Sequence, residues 1–119
     1  MLLAIDIDGT ADCDPPVFLS LMQALRCAGH RVVILTGCSN SEVVPQDIID
    51  KETYLTALGL GEAYDQLVVF ADPPAEPKAE WIKNNGADML IDNNRKNCEL
   101  ASQYCTALLP WSTREGSKS

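Results

Sequence analysis

Two aspartates separated by a single residue, Asp6 and Asp8, close the apolar run Leu2-Leu3-Ala4-Ile5 and are followed at once by Gly9 and Thr10. Side chains alternate along a strand, so an extended backbone continued this far would aim both carboxylates the same way. Two like charges that close cost stability unless a cation or a bound substrate uses them. A tight turn is the plain alternative, because Asp-Gly after a strand is common turn chemistry. Three further residues bear on the choice. Thr36 ends Val33-Ile34-Leu35, Lys78 follows a proline and opens a helix, and Asp92 ends Met89-Leu90-Ile91.

These residues need elements to position them, and the chain alternates strand and helix signals. After the first strand, a short loop over 11–14 leads to Asp14-Pro15, an N-cap followed by a first-turn proline. Val17, Leu21, Leu25 and Ala28 recur at helical spacing, and Gly29 supplies the stop. Arg31 to Leu35 reads as a strand buried on both faces, running into Thr36-Gly37. Residues 38–47 read as a loop, followed by a second helix with Ile48, Leu55 and Leu58 on one side, closed by Gly59 and Gly61. Gln66 to Ala71 is the third strand. Three prolines exclude helix or interior strand from 72–77, and a short helix spans about 78–85, ending at Gly86. Met89 to Ile91 is the fourth strand, 95–104 a fourth helix, and 106–109 an edge strand stopped by Pro110.

This βαβαβαβαβ order predicts an α/β fold: a three-layer, Rossmann-like, doubly wound parallel sheet of about five strands. Ligands of such sheets bind at the carboxyl ends of the strands, where Asp6, Asp8, Thr36 and Asp92 fall. One domain spans 1–112, and 113–119 form a polar tail expected to be disordered.

Composition narrows the partners. With 46% hydrophobic and 22% charged residues the chain reads as an ordinary soluble globular protein, and its net charge of -8 disfavours a broad grip on nucleic acid or an anionic membrane. Asp6 and Asp8 interrupt the apolar start before a signal or membrane segment could form. The five cysteines are odd in number and lack C-x-x-C spacing, which argues for reduced thiols and a cytoplasmic setting. Cys13 and Cys38 lie near the acid and hydroxyl motifs, with the plain reduced-thiol reading preferred.

Taken together, Asp6-Ile7-Asp8-Gly9-Thr10, Val33-Ile34-Leu35-Thr36-Gly37, Lys78 after its proline, and Met89-Leu90-Ile91-Asp92-Asn93 resemble the four motifs of the haloacid dehalogenase (HAD) superfamily of phosphohydrolases. The resemblance spans residues 2 to about 110, in the family's order. It implies an enzyme: a Mg²⁺-dependent phosphatase hydrolysing a phosphate monoester. Asp6 would attack phosphorus and form an aspartyl-phosphate, and Asp8 would protonate the leaving oxygen and activate water. Thr36 and Lys78 would hold the transferring phosphoryl group, while Gly9, Thr10 and Gly37 shape its binding turn. Mg²⁺ would sit on Asp6, the Asp8 backbone carbonyl and Asp92.

Other residues have plainer readings. Four residues of strand rise roughly 13 Å, so Asp88 belongs at the opposite end of the strand from Asp92. Asn93 stands where many relatives carry a second acid and offers a neutral carbonyl. Asn94, Arg95 and Asn97 suit a helix cap, with Arg95 near the substrate mouth as the sharper alternative. His30 reads as a connector, and Trp81 and Trp111 as packing residues.

Residues 11–35 and 37–77 are consumed by one helix and one strand each, so the cap domain common in that superfamily has no room. An open site suits a phosphorylated polymer end, or an oligomer whose neighbour covers the mouth. Tyr64-Asp65-Gln66-Leu67, Asp92-Asn93-Asn94-Arg95 and Pro110-Trp111 are loosely similar to the phosphatase domain of phage-type polynucleotide kinases, with Cys38 where an arginine is expected. Two alternatives stand beside the phosphatase: a receiver-like signalling domain that accepts phosphate at Asp72, and a non-catalytic binding protein on the same fold.

Overall fold

In a computed structural model describing residues 1–111, strand β1 (Leu2–Ile5) is buried along its whole length and feeds two cores. Successive side chains take opposite faces, so Leu3 and Ile5 enter one core while Leu2 and Ala4 enter the other. The remaining elements follow in alternation: α1 (Pro15–Cys27), β2 (Arg31–Gly37), α2 (Pro45–Ala57), β3 (Gln66–Phe70), α3 (Ala75–Asn85), β4 (Met89–Ile91), α4 (Arg95–Ala101) and β5 (Thr106–Leu108). All pairings are parallel, in the order β3-β2-β1-β4-β5.

Helices cover both faces. Phe18 and Met22 of α1 and Leu55 of α2 close one core, and Ile82 of α3 and Ala101 of α4 close the other. This is the doubly wound three-layer sheet that the alternation predicts. Among the described residues the connections hold no cap or second domain. No described helix is long and apolar enough to cross a membrane. The expected disordered tail over 113–119 lies outside the described residues.

Several local expectations are corrected. Strand β1 stops at Ile5, and the chain turns over residues 7–10 instead of extending through Asp8. Helix α1 buries Phe18 and Met22, leaving Val17 and Leu21 exposed. Two apolar stripes compete on that helix, and the bulkier one faces the core. Helix α2 starts at Pro45, inside the expected loop, because a proline fits the first helical position. Helix α3 starts at Ala75 and carries Pro77 in its first turn, where no backbone N–H needs an intrahelical acceptor. Helix α4 ends at Ala101 instead of Tyr104.

Candidate functional site

The strand order reverses between β1 and β4, which makes their carboxyl ends the crevice where open α/β sheets bind ligands. Asp6 follows β1 and Asp92 follows β4. Their backbones are registered there, with Asp6 N–H donating to the Ile91 carbonyl at 3.0 Å and Asp92 N–H to that of Leu108 at 3.1 Å. Lys78 reaches the same point from the first turn of α3, anchored as its N–H donates to the Pro74 carbonyl at 2.9 Å. Its ammonium donates to Asp6 Oδ1 at 3.0 Å and to Asp92 Oδ2 at 2.9 Å. All three side chains have no solvent exposure. Asp92 also accepts from Asn97 Nδ2 and from the Asn94 backbone N–H, both at 2.9 Å.

One buried cation therefore serves two buried carboxylates. Burial pushes the Asp6 carboxyl well above the usual carboxylate range, against the pull of Lys78 and with the push of Asp92. Burial alone would lower the Lys78 ammonium, but Asp6 and Asp92 outweigh it and hold it above its ordinary value. The centre is short of positive charge, and Asp6 carries the imbalance.

The other anticipated residues are placed differently. Asp8 does not share Asp6's direction: its half-exposed carboxylate binds Lys51 Nζ of α2 at 2.6 Å. Gly9, at φ 77°, makes the turn and donates its N–H to Asp12 Oδ1 at 2.8 Å. Thr10 is buried; its N–H bonds the Ile7 carbonyl, and its hydroxyl accepts from Asn93 N–H at 2.9 Å and lies 3.5 Å from Asp6 Oδ2. Thr36 is wholly buried at the end of β2, and its Oγ1 has no hydrogen-bond partner among the described residues. Gly37 ends that strand against Pro74.

Lys51 carries no signal in the sequence motifs. It sits in a surface helix and finds Asp8 across 43 positions. Only its place one turn before the buried Leu55, on the same helix face, marks it as inward-reaching. Tyr54, its neighbour on α2, donates to Asp12 Oδ2 at 2.7 Å, and this bond is the main reason its phenol is pushed up to about 12.

The plainer readings resolve by geometry. Asp88 lies at the opposite end of β4, accepting from Leu2 N–H at 2.7 Å. Asn94 caps α4 by accepting from Asn97 N–H at 3.0 Å, while Arg95 is exposed. Asn93 is buried and accepts from Trp111 N–H at 3.1 Å. Trp111 packs edge-on against Phe18, Trp81 joins the α3/α4 core, and His30 contacts the chain's amino group. Burial pushes the Cys98 thiol up to about 11, and no cysteine is in a disulfide.

Asp6 and Asp92 offer carboxylate oxygens, the kind Mg²⁺ takes, although the Lys78 ammonium already occupies one oxygen of each. Among the described residues no three acidic, histidine or cysteine side chains converge as a closed cage. Asp6 Oδ2, with only the long Thr10 contact among the described residues, fits the looser mode in which Mg²⁺ uses one or two carboxylates, waters and a ligand's phosphate. The chain's one G-x-G, Gly59-Leu60-Gly61, lies between α2 and β3 at the amino edge, too far round the fold to cradle a phosphate here.

No protein-family profile matches the sequence, and no curated protein matches it. Solved structures do. A universal stress protein family member from Burkholderia pseudomallei is 17% identical, with 90% of this chain and 92% of that one covered at a TM-score of 0.50. A universal stress protein family member from Arabidopsis thaliana with AMP bound is 9% identical, with 91% and 89% covered at a TM-score of 0.51. At these identities the likeness is one of fold.

These neighbours correct the family expectation: the fold is matched over nine-tenths of the chain by universal stress proteins, in place of the haloacid dehalogenase phosphatases. With that resemblance goes the reading that it carried, a phosphatase hydrolysing a monoester through an aspartyl-phosphate at Asp6, and the separate receiver-like alternative at Asp72 finds no support in these neighbours either. The geometry supplies a physical reason. Asp6 Oδ1 is taken up by Lys78, and Asp8 is held by Lys51 instead of facing the same point.

Proposed function

We propose that this protein binds a phosphorylated small molecule, of the nucleoside monophosphate class, at the carboxyl edge between β1, β2 and β4. The observation that carries this reading is Thr36 Oγ1. A buried hydroxyl with no partner is uncommon in a native protein, and a bound acceptor is its simplest explanation. A phosphate oxygen is such an acceptor. The edge is where open α/β sheets receive ligands, and one fold neighbour carries AMP.

Mg²⁺ completes the site in this reading. Beside Asp6 it would supply the positive charge that Lys78 alone leaves short, and it would tie the phosphate to a carboxylate edge that otherwise repels it. The net charge of -8 favours a small ligand over a nucleic acid. The cytoplasm, rich in such ligands and reducing toward the five free thiols, is the proposed setting.

Calorimetric titration with AMP, with and without Mg²⁺, tests the reading. One molecule binds, Mg²⁺ tightens it, and the ligand is recovered unchanged. Thr36→Val weakens binding by about tenfold, the scale of one hydrogen bond to a charged acceptor. Steady release of phosphate from AMP would overturn the reading, as would the absence of binding by AMP, ATP and inorganic phosphate alike.

A further inference from the structure

The buried ammonium of Lys78 has no exposure and two carboxylates to hold, so it does not meet an incoming anion first. Beside the centre lies a groove of about 390 Å³ lined by Asp8, Gly37, Cys38, Ser39, Lys51 and Asp72, among others. It continues along α2 into a second hollow of about 310 Å³, which shares Cys38, Ser39 and Lys51 and adds Asp47, Asp50 and Tyr54. Gly37 lines the first hollow and directly follows Thr36, the residue with the unpartnered hydroxyl. Among the described residues Lys51 is the one cation lining either hollow, and the other charged groups there are acids.

We infer that Lys51 is the ligand's phosphate-binding residue, and that its ion pair with Asp8 is the resting contact with which the phosphate competes. This rests on the phosphate-binding reading above. An ammonium has three donors, and Asp8 Oδ2 takes one of them at 2.6 Å. The Lys51 side chain keeps 18% of its exposure, so solvent and a ligand can still reach it. Its position is set from below: Leu55, one turn later on the same face, is buried in the core and pins the helix, while Tyr54 ties it to Asp12. A phosphate entering beside Thr36 therefore meets a cation held in place, and that cation is shared with a carboxylate instead of being free.

Sharing gives the two ends of the ion pair opposite effects. Removing the ammonium weakens a phosphate ligand, whereas removing the competing charge strengthens it. A latch that only held α2 in place would make both changes act in the same direction.

The experiment titrates the wild type, Lys51→Gln, Lys51→Arg and Asp8→Asn with AMP and with adenosine at one fixed Mg²⁺ concentration. The expected result is that Lys51→Gln weakens AMP by about tenfold or more and leaves adenosine within about twofold, as expected for a lost charge-assisted contact to phosphate. Lys51→Arg keeps most of the AMP affinity, and Asp8→Asn raises it. If the wild type binds AMP but Lys51→Gln binds it equally well, or Asp8→Asn weakens it alongside Lys51→Gln, the inference is overturned while the phosphate-binding reading stands. If the wild type binds neither AMP nor inorganic phosphate, both fall together.

Discussion

Lys78 and Lys51 bind aspartates that lie two residues apart in the chain, at 3.0 and 2.6 Å, and they do so in different media. Lys78, Asp6 and Asp92 are sealed from solvent between α3 and the ends of β1 and β4. Lys51 and Asp8 sit on the rim, with 18% and 35% of their side chains exposed. Water competes for the rim pair and screens it, while the buried groups are held by one another and by protein donors from Asn94, Asn97 and Thr10. Distance alone is a poor guide to strength; the medium decides. The inner cluster suits holding the sheet edge in one arrangement, and the outer pair suits exchanging partners.

That contrast can be broken most forcefully at Lys78. Replacement by methionine leaves Asp6 and Asp92 buried with no cation between them, a change of the kind that costs about 3–5 kcal/mol. Urea denaturation measures it, and a loss under about 1 kcal/mol would show that the cluster is not the rigid centre it is taken for.

Asp6 gives the next effect, and it depends on pH. Its folded carboxyl is raised by burial above the unfolded value near 3.9. Its protonated form is thus the one the fold prefers, so its contribution is full below about pH 4 and is lost as pH rises through the folded value. Asp6→Asn cannot ionise. In the presence of a chelator its Tm exceeds that of the wild type at pH 8, and the two converge toward pH 4. A constant offset between them would contradict the charge imbalance at the centre.

The rim yields the smallest change in stability. Lys51→Gln costs no more than about 1 kcal/mol, the range of partly exposed ion pairs. A larger loss in denaturation would move Lys51 from the exchanging region to the holding one.

Much of this arrangement is legible in the sequence, for reasons that differ by residue. Arg31 to Gly37 announces an interior strand because Val32 to Leu35 form an unbroken, β-branched-rich apolar run, and alternation of such strands with helices leaves few topologies. Asp6, Thr36, Lys78 and Asp92 stand out because each lies at or within a turn of an element boundary that a local signal marks: Asp6 and Asp92 just past strands, Thr36 next to last in β2, Lys78 in the first turn of α3. Lys51 has no such signal: its partner is remote, and its helix exposes nearly every other side chain. The facing of α1 was also hidden, since Val17 with Leu21 and Phe18 with Met22 satisfy the same period. The direction of Asp8 depends on where β1 stops, one residue before Asp6, and propensity does not set that point. The family resemblance misleads because acids and a hydroxyl at strand ends, with a lysine from a neighbouring helix, suit the polar edge of a doubly wound sheet whichever ligand that edge serves.

Gly37 gives the sheet edge a mechanical linkage. A methyl group at this position would stand 3.0 Å from Pro74 Cγ and 3.1 Å from its Cβ, close enough to shift a rigid ring by a few tenths of an ångström. The Pro74 carbonyl receives the Lys78 N–H. Any push on that ring therefore travels one helical turn to the ammonium between Asp6 and Asp92. The missing side chain at position 37 acts as a clearance gauge: it sets how far α3 may approach β2, and so where the buried charge comes to rest.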